Sequence, residues 1–226
     1  MPKTTFFNLP KEKQTRILEI SAREFAASPY DVASISEIVR QAGMAKGSFY
    51  QYFENKQDLY QTLIQLGTEA KLDLLNEHST PNPKGNLFDT LKNQFLGTVQ
   101  FEINHPDLAK VLYMAFIQEV PFPKMTEELR RRGTTQFFKQ LIAQGITHGD
   151  VAVWVDPETA AFLLESVFYQ FSKHLIQRLA VNGFTISTKT IMEDEGAMQI
   201  LHNLMDLLEA GMKRDPQQRR DYYPKG

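Results

Sequence analysis

The chain has 226 residues, 42% of them hydrophobic, which allows one large domain or two modest ones with a real core and excludes a disordered polymer. It has no cysteine, which excludes disulfides, thiol nucleophiles and thiolate zinc sites, and its net charge of −2 excludes a wholly basic nucleic-acid coat protein. The amino end MPKTTFFNLPKEK lacks an apolar h-region, and the longest apolar run, VLYMAFI, falls far short of the roughly 20 residues of a membrane span, so a cytoplasmic protein is expected.

Apolar residues recur at spacings of three and four, as at Ile17, Ile20 (or Ala22) and Phe25 and again from Ala160 through Leu164, Val167, Phe168, Phe171, Leu175 and Leu179. No run alternates as a strand does. About nine helices are expected. They span 11–27, 35–42, 46–52, 56–76, 86–104, 106–118, 123–145, 157–181 and 190–211. Turn chemistry separates them: SPYD, STPNPKG, NHP, VPFP, THGD, WVDP and NGF. Asp156 before Pro157 reads as an acidic N-cap, Asn55 and Asp58 as a capping pair, and Gly211 as the close of the last helix.

Around residue 40 these signals combine. SISE, Ser34–Glu37, has the form of a capping box, with Ile35, Ile38 and Val39 giving a two-turn helix behind it. QAGM ends that helix, with Gly43 free to turn left-handed and Met44 an apolar plug. The next helix, KGSFYQYF, puts Phe49 and Phe53 four apart on its buried side. Lys46, Gly47, Ser48, Tyr50, Gln51 and Tyr52 are left outward or to the flanks. Two short helices joined by a glycine turn make a helix-turn-helix, whose second helix enters a major groove. Gly47 lets the backbone approach DNA closely, and the free N–H groups of helix starts near Ser34 and Lys56 suit phosphate oxygens. Residues 1–56 carry net +2 and the remaining 170 net −4, an asymmetry of the right sign.

The stretch ISEIVRQAGMAKGSFYQYFENKQDLY, Ile35–Tyr60, resembles the DNA-binding signature of TetR-family regulators, and RILEISAREFA, Arg16–Ala26, is similar to that family's first helix. The resemblance covers about 45 residues; the rest is similar in layout only. It implies an all-α fold with a three-helix helix-turn-helix DNA-binding domain over 1–56 and a helical ligand-binding and dimerisation domain over 57–226. It further implies a homodimer on a near-palindromic double-stranded operator, and a small-molecule effector whose binding the long fourth helix transmits. By matching position, Ser34, Tyr50 and Lys56 correspond to phosphate contacts, and Lys46, Gly47, Ser48, Gln51 and Tyr52 to base or backbone contacts. Tyr52 as packing against a neighbouring helix, and Lys56 as a solvated helix start, are the competing readings. Two departures stand out. Ala45 occupies a position usually serine or threonine, removing a cap, and SPYD lacks the usual glycine of the first turn.

The second domain offers Phe95, Tyr113, Phe116, Phe137, Phe168 and Tyr169 as candidate pocket residues among aromatics that mostly build core. Their low charge favours a hydrophobic or amphipathic effector of open identity. The broad apolar stripes of 157–181 and 190–211 are the expected dimer interface. Arg130–Arg132 reads as a solvated helix face, Glu102 and His105 as a helix end rather than a metal pair, and the tail MKRDPQQRRDYYPKG as mobile. With no phosphate loop, nucleophile elbow or complete metal set, neither catalysis nor a cofactor is expected. The expected function is a ligand-responsive transcriptional regulator, a repressor released by its effector; the alternative is an activator or architectural DNA-binding protein without a ligand.

Overall fold

The computed structural model describes residues 1–78, 86–117, 122, 134–181 and 194–213, and among these every regular element is a helix, as the three- and four-residue apolar spacing suggests. In chain order the helices are α1 (Thr4–Phe7), α2 (Lys11–Ala27), α3 (Ile35–Gln41), α4 (Lys46–Tyr52), α5 (Lys56–His78), α6 (Leu87–Asn104), α7 (Pro106–Ile117), α8 (Thr134–His148), α9 (Pro157–Val181) and α10 (Glu195–Met212). Helix α1 was not expected from the sequence. Arg130–Arg132, most of the carboxyl tail, the STPNPKG and NGF turns, and the side chains of Phe116 and Tyr169 lie outside the described residues.

The chain forms two compact units, Met1–Asp73 with Asn104–Thr126, and Leu74–Ile103 with Glu127–Gly226. The first therefore reaches beyond residue 56, taking in most of α5 and all of α7. Its core joins the predicted buried faces, Ile17, Ile20 and Phe25 of α2, Ile38 and Val39 of α3 and Phe49 of α4, to Leu59, Tyr60, Leu63 and Ile64 of α5 and Val111, Leu112 and Ala115 of α7. Helix α2 packs against both α3 and α7.

In the second unit, Leu87, Leu91, Phe95 and Val99 of α6 meet Phe138 and Ile142 of α8 and Ala161, Leu164, Phe168, Phe171 and Leu175 of α9. Helix α10 adds Ala197, Leu201, Met205, Leu208 and Met212, a stripe at spacings of three and four. Asp156 caps α9 as its position before a proline suggests: its carboxylate accepts from the Thr159 amide at 2.8 Å and the Thr159 hydroxyl at 2.6 Å. Those bonds hold its carboxyl below the usual range. The close of α10 differs from expectation. Gly211 stays helical, and the helix ends at Lys213, whose αR backbone still bonds to Glu209.

Candidate nucleic-acid interface

Helices α3 and α4 are too short to persist alone, so their ends are held by neighbours. The Ser34 hydroxyl accepts from the Glu37 amide at 3.3 Å, the first half of the capping box. The second half is made otherwise: the Ser34 amide donates to Glu24 of α2 at 2.9 Å. Glu37 instead accepts from Arg40 and Gln41, bonds that hold its carboxyl down to about 2. At the far end the Gly43 amide donates to Arg40 and the Met44 amide to Val39, at 3.2 and 3.0 Å. This paired pattern requires a left-handed residue, and Gly43 stands at φ +67°.

The turn delivers α4 with a sharp division of faces. Phe49 and the following Phe53 are 0% exposed, whereas Tyr50 is 47% exposed. Lys46, Gly47 and Gln51 are exposed and Ser48 is half-buried. A Cβ at Gly47 would meet no protein atom within 4 Å, so packing inside this chain does not demand glycine there. The outer face thus joins an ammonium, two hydroxyls, a carboxamide and bare backbone, the donors and acceptors suited to phosphates and base edges.

Two expected members are placed differently. Tyr52 is 9% exposed, its ring edge-on to Phe6 of α1 at 6.3 Å, which favours packing against a neighbouring helix, the competing reading for it. The neighbour, α1, is not among the helices expected from the sequence. The Lys56 ammonium turns inward and donates to the carbonyls of Tyr30, Asp31 and Ala33 at 2.8, 3.1 and 3.0 Å. It also lies 4.7 Å from the centre of the Tyr30 ring. A lysine has three donors, and here all three close the turn after α2 where SPYD replaces a glycine. Ser34 keeps its capping place at the head of α3. Asn55 caps α5 through the Asp58 amide at 2.9 Å, and Asp58 accepts in turn from the Glu54 amide at 3.0 Å.

The pocket candidates disperse. Phe95 and Phe168 pack ring to ring at 5.4 Å within the second core. Phe137 is 37% exposed, while its neighbour Phe138 is the buried one. Tyr113 is half-buried on α7, in the first unit, as is the backbone of Phe116. Glu102 accepts from the Ser172 hydroxyl at 2.5 Å in the second unit, whereas His105 belongs to the first. Sequence reading missed the segment before Pro10. Its signal was the pair Phe6–Phe7, an apolar couple with no helix assigned to it.

The outer face of α4 and the helical second unit both have counterparts among known proteins. Residues 17–63 match the family model of bacterial regulatory proteins of the tetR family, and residues 85–213 match that of the tetracyclin repressor-like C-terminal domain. The crystal structure of a TetR-family transcriptional regulator from Chloroflexus aurantiacus J-10-fl is 38% identical, covers 95% of this chain and 100% of its own, and superposes with a TM-score of 0.79. The helix-turn-helix regulator YdgC of Bacillus subtilis is 40% identical over 53 residues, 24% of this chain and 27% of its own length, so that match spans about a quarter of the relative. The FadR regulator of Bacillus subtilis, solved with stearoyl-CoA, shares the fold at a TM-score of 0.62 and 18% identity over 88% of this chain and 98% of its own. With two family models spanning both units and full-length likeness to a solved member, this chain belongs to the TetR family of DNA-binding transcriptional regulators.

Proposed function

We propose that this chain is a homodimeric repressor that holds a near-palindromic operator through α4 and releases it on binding a small hydrophobic or amphipathic effector. The observation that carries the DNA half is the division of α4: Phe49 is wholly buried while Lys46, Gly47, Tyr50 and Gln51 stand exposed in one short helix. On this reading Lys46, Tyr50 and the half-buried Ser48 bind phosphate or sugar, Gln51 reads a base edge, and Gly47 lets the backbone close on the duplex. The effector half is supported by relatives: the FadR structure holds stearoyl-CoA, and a second regulator of the same fold, KstR2 of Mycobacterium tuberculosis, is a ketosteroid regulator. The effector shifts the dimer between half-site spacings only by its differential affinity for the two states.

Duplexes enriched by the wild-type chain from a random library supply the operator probe. Lys46→Ala and Tyr50→Ala are expected to weaken binding to that duplex at least about tenfold, as lost charge-assisted and hydroxyl contacts would, with melting temperatures unchanged. Unaltered affinity in both variants would remove α4 from the interface. Long-chain acyl-CoA is the first effector to test. Binding to the folded state raises the melting temperature and should lower operator affinity; a ligand that does neither is not the effector.

A further inference from the structure

The last turn of any helix leaves four carbonyls without partners in the helix. In α4 these are the carbonyls of Phe49, Tyr50, Gln51 and Tyr52, and only the first is closed locally, by the Phe53 amide at 2.9 Å. The helix runs straight into an extended residue, Phe53 at φ −127° and ψ 147°, with no left-handed cap to serve the rest. The other three accept from the amino-terminal segment. The Lys3 ammonium donates to Tyr50 and the Lys3 amide to Tyr52, both at 2.8 Å, and the Thr5 hydroxyl donates to Gln51. Phe6, buried, is wedged 5.0 Å from the Phe53 ring. The segment is anchored at its other end by Gln14 of α2, itself buried, whose carboxamide donates to the carbonyls of Phe7 and Leu9 at 3.1 and 2.8 Å.

We propose that residues 3–9 form a brace that sets the pose of the recognition helix, with Thr5 and Gln14 as positioning residues for sequence readout. The inference rests on the reading of α4 as the DNA-contacting helix and goes further, because neither residue lies on the outer face of α4. Tyr50 and Gln51, whose side chains project outward, are the residues whose carbonyls the brace grips. A small tilt about that grip displaces the Gln51 carboxamide from its base edge, while the attraction of the Lys46 ammonium to phosphate, being longer-ranged, tolerates it. Residues 1–16 also lie outside the family match, which begins at residue 17.

The test uses the full-length chain, a duplex enriched by the wild type from a random library, and a scrambled duplex of the same composition. Thr5→Val keeps the shape of an exposed residue and deletes its donor; Gln14→Leu does the same from inside α2. Each variant is expected to bind the enriched duplex about 3- to 10-fold more weakly, the worth of one or two hydrogen bonds. Binding to the scrambled duplex and the slope of affinity against salt should stay as in the wild type, and Thr5→Ser should restore discrimination. An unchanged ratio of enriched to scrambled affinity in Thr5→Val and Gln14→Leu overturns the brace alone. A wild-type chain that enriches no sequence at all overturns the operator reading and the brace together.

Discussion

Gly47 separates what the fold needs from what binding needs. An added methyl finds open space on the protein side, and alanine favours a helix over glycine by up to about 1 kcal/mol. Gly47→Ala should therefore hold or raise the melting temperature while weakening operator binding; intact binding would show that no duplex approaches that backbone. Tyr60 makes a second residue-level case. Its ring is buried beside Phe25 and Tyr30, at 4.9 and 5.1 Å, and burial, with a smaller contribution from Tyr30, pushes its phenol up to about 12 from an ordinary 10. The folded state thus favours the neutral phenol. The stability this contributes is fully present below pH 10 and is lost as pH rises from 10 through about 12. A near-ultraviolet titration of phenolate absorbance should lose its component near pH 12 in Tyr60→Phe.

Short helices depend on their ends, and the first unit shows how unevenly such ends are foreshadowed. The α3 cap and the Gly43 turn join residues three to five apart, so their chemistry is visible in a window of ten. The bond from Ser34 to Glu24, and those from Lys56 to Tyr30, Asp31 and Ala33, join different elements. A lysine at a helix start looks the same in a sequence whether it faces solvent, phosphate or a neighbouring loop. Lys56→Met separates these cases. Losing a partly buried ammonium that satisfies three carbonyls should cost about 1–3 kcal/mol of stability, seen as a lower melting temperature. A phosphate contact would instead lower the salt slope by about one with the melt unmoved.

For the whole molecule, the exposed apolar side chains are informative. Phe162 of α9 and Leu207 of α10 are 70% and 73% exposed in the single chain, on the two helices proposed for dimerisation. Isolated apolar residues at a surface are ordinary, so the assignment turns on mutation. Leu207→Glu and Phe162→Glu, altering exposed positions, should leave each chain folded and shift it to monomer in sedimentation; operator affinity should fall with it, since two half-sites are no longer held together. A dimer that survives both substitutions places the interface elsewhere.

The all-helical class, the helix-turn-helix and the limits of most helices follow from the order of residues alone, because apolar spacing, caps and a left-handed glycine act within one or two turns. Three-dimensional packing was needed to show that Tyr52 turns inward, that Lys56 closes a loop, and that α4 is gripped by Lys3 and Thr5 from 46 or more positions away. It also separated Phe138, buried, from Phe137 beside it, partly exposed. Adjacent residues of one type carry the same local signal. Which of them meets a neighbour depends on where distant helices come to rest, and that is a sum over the whole chain.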